Sequence, residues 1–115
     1  MKVASFLIFV DDLASAYEFY HSCLGLHTGG GRLEDGYVVF NLEGMPLVIE
    51  EVGKDKSLSG RFTGLTLETN NIQYDFERLQ ENGVKFSSEP SETASGARIA
   101  HFEDSSGNIF SLIER

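Results

Sequence analysis

The sequence predicts an α+β domain built from two βαβββ modules whose sheets curve into a funnel, and three observations predict it. First, the closing stretch GARIAHFEDSSGNIFSLIER places two apolar runs, Ile99 to Phe102 and Ile109 to Ile113, on either side of Glu103-Asp104-Ser105-Ser106-Gly107-Asn108. Asp, Ser, Gly and Asn supply turn conformations, so this is a β-hairpin. Second, a strand over Val3 to Val10 leads into an amphipathic helix that Asp11 or Asp12 can cap. Third, the pattern occurs twice. At an offset of 59, Phe6 falls on Leu65, Ile8 on Leu67, Asp12 on Asn71, Leu13 on Ile72, Tyr17 on Phe76 and Tyr20 on Leu79. At 61, Val48 falls on Ile109, Ile49 on Phe110 and Val52 on Ile113, as a diverged duplication would leave them.

Taken in order, the first strand alternates with a period of two, Phe6, Ile8 and Val10 on one face and Ser5, Leu7 and Phe9 on the other. Leu13, Ala16, Tyr17, Tyr20 and Leu24 then recur at helical spacing up to Gly25. Leu26 and His27 open a short strand that breaks at Gly29-Gly30-Gly31, a flexible turn or a strand bulge. Tyr37 to Leu42 and Leu47 to Val52 form a hairpin, and the polar Gly53 to Gly60 reads as a linker. The order then begins again: a strand over Phe62 to Thr69, a helix capped by Asn70 or Asn71 and ended by Gly83, a strand from Val84 to Phe86, the loop Ser87 to Gly96, and the closing hairpin. One domain over 1–115 follows, with module one over 1–57 and module two over 58–115. A helix covers one face of each sheet; the faces carrying Ser5, Leu7 and Phe9 are left to line a concavity of the kind that holds small ligands.

Composition narrows the class of function. At 115 residues the chain can bury a core without a disulfide or a structural metal. Cys23 is the single cysteine, so no internal disulfide forms, and a reducing cytosol suits it. No run approaches a membrane span and the apolar start is too short for a signal peptide, so a soluble cytoplasmic protein is expected. The net charge of −9 opposes binding to nucleic acid, and it is spread over both halves. That spread serves solubility, or steers a cationic ligand toward an acidic site.

Val10-Asp11-Asp12-Leu13 leading into Tyr17-Glu18-Phe19-Tyr20 and Leu24-Gly25-Leu26, Asn71-Ile72 through Gly83-Val84, and Phe102-Glu103-Asp104-Ser105-Ser106-Gly107-Asn108 together resemble the vicinal oxygen chelate superfamily of glyoxalase I, bleomycin resistance proteins, fosfomycin resistance enzymes and extradiol dioxygenases. The last stretch is similar to an F-x-D-P-D-G-N hairpin with Ser105 and Ser106 in place of Pro and Asp. The resemblance implies a homodimer that pairs first and second modules of different chains. It also implies four side chains around one divalent metal, and these positions fall here at Ser5, Glu50, Gly64 and Ser111. Only Glu50 keeps a ligand, and no cofactor is expected.

A metal-free protein of the bleomycin resistance type is the first expectation, sequestering a small aromatic or cationic molecule. The alternative is a metal-dependent lyase, isomerase or dioxygenase with a non-standard site, or a metal-free catalyst using Glu50 and His101 as acid and base. Leu7, Phe9, Phe40, Ile99, Ile109 and Ile113 are expected as apolar walls, Glu50 and His101 as polar contacts, Ser5 and Ser111 as space left by missing ligands, and Thr66 on the same face as Gly64. Phe62 is expected in the core or the wall, and His21 and His27 at the surface.

Overall fold

Apolar alternation, caps and turns generate two sheets, each with a helix against one face, in a computed structural model that describes all 115 residues. Sheet A contains β1 (Phe6–Val10), β2 (His27–Arg32), β3 (Tyr37–Leu42) and β4 (Met45–Glu51) in the order β1-β4-β3-β2. Sheet B contains β5 (Phe62–Glu68), β6 (Lys85–Phe86), β8 (Arg98–Glu103) and β9 (Ile109–Glu114) in the order β5-β9-β8-β6, with β7 (Ser91–Glu92) also paired to β8. In both sheets the first strand runs parallel to the last and the remaining pairs are antiparallel. The sheets are thus two copies of one βαβββ plan, not closed into a barrel.

The repeat extends to the helix caps. α1 (Leu13–Tyr17) is capped by the Asp12 carboxylate, which accepts from the Ser15 N–H at 3.1 Å, and α2 (Ile72–Glu81) by the Asn71 amide oxygen, which accepts from the Tyr74 N–H at 3.1 Å. The Leu13 N–H donates to Glu51 at the end of β4, and the Ile72 N–H to Glu114 at the end of β9. Each helix start is therefore tied to the last strand of its own sheet, and two of its free N–H groups are met by side chains. α1 does not end at Tyr17; it continues as a wider π-turn over Glu18–Cys23, where the Leu24 N–H reaches the Phe19 carbonyl at 3.0 Å.

Three local expectations change. The first strand begins at Phe6, so Ser5 lies before it and is exposed. The glycine triplet does not end β2 but lies within it, and of the turn and the bulge expected there the bulge is found, as a register shift between Thr28 and Gly30. The loop after β6 is partly ordered, because Ser91 and Glu92 pair with Ile99 and Arg98. Gly31 has a specific role: its φ is +74°, and a Cβ there would lie 2.7 Å from the Tyr37 carbonyl oxygen and 2.9 Å from its ring. Gly31→Ala should therefore cost about 2 kcal/mol in urea unfolding. A cost below about 0.5 kcal/mol would mean that Tyr37 moves aside freely.

Both sheets and both helices share one core. Tyr20 is fully buried, its ring 5.8 Å from Phe40 of sheet A and 6.0 Å from Phe110 of sheet B. Phe19 approaches Phe102, which stacks on Phe110 at 5.4 Å. α1 thus packs between the helix-facing sides of the two sheets, and the opposite sides turn away from the core.

Candidate functional site

On sheet A the outward face follows from the strand register. Leu7, Val48 and Val39 stand in one row across β1, β4 and β3, and Phe9, Glu50 and Tyr37 in the next. Residues directly opposite across strands bring their Cβ atoms to about 5 Å, so Glu50 emerges between two aromatic residues. Leu7 is 50% exposed, and Glu50 is half-buried and takes part in none of the four ion pairs. Arg32, opposite Tyr37 on β2, is held by Glu34 and Asp35.

On sheet B, Phe62, Ile109 and Glu103 form one row, Thr66, Ser111 and His101 the next, and Glu68, Ile113 and Ile99 the third. A polar row thus crosses the middle of the face, where His101 Nδ1 and Ser111 Oγ are 2.8 Å apart. Ser111 is buried and His101 half-buried. A groove of about 260 Å³ opens here, lined by Phe62, Ser87, His101, Phe102, Glu103 and Ile109. A second groove of about 300 Å³ follows the seam where β1 passes the start of β5, with Leu7, Phe9, Arg61 and Phe62 among its walls.

Most of the expected wall residues therefore lie on outward faces: Leu7, Phe9 and Glu50 on sheet A, and Thr66, Ile99, His101, Ile109, Ser111 and Ile113 on sheet B. Phe40 does not. It is fully buried against Tyr17 and Tyr20 on the helix side, because β3 turns its even-numbered residues inward. Ser5 precedes the ordered strand, and His21 stacks on Tyr17 at the surface. Glu50 and His101, expected as an acid and base pair, stand on different sheets and are not brought together within one chain. Tyr37, Ser87 and Glu103 join the faces without having been expected there. Period-two alternation beside His101 would have found Glu103; Tyr37 emerges only from the register that sets it opposite Glu50.

The four positions at which the resemblance implies a metal do not fit one. Ser5 lies outside its strand, Gly64 has no side chain and sits at φ +76° in an irregular stretch of β5, and the Ser111 hydroxyl is engaged with His101. No three His, Cys, Asp or Glu side chains cluster in a way that could hold a metal ion. One carboxylate is not a donor set for a divalent cation.

The family model described as the Glyoxalase/Bleomycin resistance protein/Dioxygenase superfamily matches residues 2–112. Comparison with curated proteins gives no match. Among solved structures, the chain is similar to a member of that superfamily from Sphaerobacter thermophilus DSM 20745, at 29% identity and a TM-score of 0.83 over 100% of this chain and 98% of the other. It is also similar to TnmS3, an antibiotic binding protein from Streptomyces sp. CB03234, at 27% identity and a TM-score of 0.78 over 99% of this chain and 95% of the other. The genomically encoded fosfomycin resistance protein FosX from Listeria monocytogenes shares the fold, with 17% identity and a TM-score of 0.80 over 100% and 93% of the two chains. A match spanning nearly every residue, on a chain with two βαβββ sheets and two outward faces, places this protein in the glyoxalase/bleomycin resistance protein/dioxygenase superfamily.

Proposed function

We propose that this chain is a metal-free binding protein that sequesters a small aromatic or cationic molecule, and that it works as a homodimer in which sheet A of one copy faces sheet B of the other. The observation that carries the reading is the chemistry of the outward faces. They are mostly apolar, they hold one unpaired carboxylate between aromatic residues, and of the four positions implied for a metal one has no side chain and two carry only a serine hydroxyl, a poor ligand. Apolar walls with a few polar groups bind organic molecules by burial and orient them by those groups. A carboxylate beside aromatic faces favours a cation. Leu7 at 50% exposure leaves apolar surface on sheet A that a second copy would cover. The likeness to an antibiotic binding protein at 27% identity supports the same class of activity.

Native mass spectrometry of protein purified without chelator tests the reading directly. A dimer without stoichiometric metal is expected; about one metal per chain overturns the metal-free part, and a monomer overturns the paired site. Benzyltrimethylammonium serves as a cationic aromatic probe in a titration followed by ligand NMR. Glu50→Leu should weaken it about tenfold, and equal affinity would remove Glu50 from cation recognition.

A further inference from the structure

The polar row of sheet B determines which hydrogen bonds the site can make. Ser111 is only 4% exposed, and its hydroxyl has one hydrogen-bond partner, His101 Nδ1 at 2.8 Å. A buried hydroxyl proton must be given to an acceptor, and Nδ1 is the one in reach. The Ser111 O–H therefore donates, Nδ1 accepts, and the ring proton of the neutral imidazole belongs on Nε2. His101 lines the 260 Å³ groove, and so does Glu103. These two are separated by one residue on β8 and share its outward face, about 7 Å apart along the strand. Lys85 is opposite Glu103 on β6, but no ion pair joins them. The groove thus offers an N–H donor and a carboxylate acceptor side by side, beside the apolar Phe62 and Ile109.

We infer that the site selects planar ligands carrying a hydrogen-bond acceptor and an N–H donor on one edge, such as a cyclic amide or an aminopyrimidine-like heterocycle. The ligand's acceptor accepts a hydrogen bond from His101 Nε2–H, its N–H donates to Glu103, and its ring lies against Phe62. Ser111 is a positioning residue, setting the tautomer of His101 without touching the ligand. This inference rests on the binding reading above and deepens it by naming the class of ligand edge.

Two measurements test it. In ¹⁵N-histidine-labelled protein at neutral pH, His101 should show the Nε2–H tautomer, and Ser111→Ala should convert it to a mixture. An Nδ1–H form in the unaltered protein, or a tautomer indifferent to Ser111→Ala, overturns the assignment whatever the protein binds. The second measurement compares 1(2H)-isoquinolinone with isocoumarin, in which ring oxygen replaces the N–H and faces Glu103 with a lone pair. The lactam should bind about tenfold more tightly. In Glu103→Gln, whose amide can present either an acceptor or a donor, that preference should shrink to near unity. Equal binding of lactam and lactone to the unaltered protein overturns the edge recognition while leaving the small-molecule reading in place. Binding of neither overturns the ligand class, and the benzyltrimethylammonium titration then decides the broader reading separately.

Discussion

Replacing Asp104 by alanine is expected to cost about 4 kcal/mol of stability, among the largest effects of any single change in this chain. Asp104 is buried in the β8–β9 turn, and its carboxylate accepts four hydrogen bonds. Tyr20 O–H and Asn108 Nδ2 reach Oδ2 at 2.5 and 2.9 Å, and the Ser106 and Asn108 backbone N–H groups reach Oδ1 at 2.8 and 2.9 Å. Asn108 in turn donates to the Phe9 carbonyl of β1 and accepts from the Arg61 N–H ahead of β5. One turn therefore joins α1, sheet A and sheet B through groups that are mutually satisfied. Removing the carboxylate leaves several donors without partners, two of them deep in the shared core, and an unsatisfied buried group costs more than a hydrogen bond contributes. Urea unfolding measures the loss; a change below about 1 kcal/mol would show that water replaces Asp104.

The same contact gives stability an alkaline limit. Burial first, then the Asp104 charge and its hydrogen bond, push the Tyr20 hydroxyl far above the ordinary 10.0 of tyrosine. The folded protein keeps that proton where the unfolded chain releases it. The contribution is therefore complete below pH 10 and declines above it, by up to about 1.4 kcal/mol per pH unit. Tyr20→Phe should remove this part of the alkaline slope; an identical slope in the variant would assign it to other groups.

Phenylalanine truncations provide the second large effect, and their contrast separates core from wall. Phe110→Ala should destabilise by about 3–5 kcal/mol, because Phe110 is 1% exposed, stacks on Phe102 and meets the Tyr20 ring edge-on. The cavity would open where both sheets meet α1, so neither sheet could close it alone. Phe62→Ala removes the same ring from a residue that is 67% exposed and should change stability by no more than about 0.5 kcal/mol. It should weaken an aromatic ligand about tenfold if Phe62 is the wall of the sheet B groove. Comparable stability losses in the two variants would mean that Phe62 is covered in solution, as a tightly closed dimer would require.

What the sequence by itself determined is everything that local periodicity encodes. Alternation with a period of two separated Ile8 and Val10 from Leu7 and Phe9, and the pairs Asp11-Asp12 and Asn70-Asn71 announced both helix starts, of which the structure uses Asp12 and Asn71, because a cap is a bond between residues three apart. The repeat was legible because duplicated modules preserve the positions of apolar residues even where identity is gone. Phe40 shows the limit of such reading. Its strand is apolar on both faces, Val39 half-buried and Phe40 fully buried, so alternation names two sets without saying which one meets the helix.

Tertiary structure decided the rest. The bond between Ser111 and His101 depends on the pairing of β8 with β9, and the Phe9–Glu50–Tyr37 row on three strands drawn from three parts of module one. Whether two sheets face each other across a funnel or across a shared core is invisible to local pattern, because alternation names the two faces of a strand without saying which of them meets the other sheet. Here Tyr20 decides it: its ring touches Phe40 and Phe110, its hydroxyl holds Asp104, and the faces carrying Leu7 and His101 are those turned away from it.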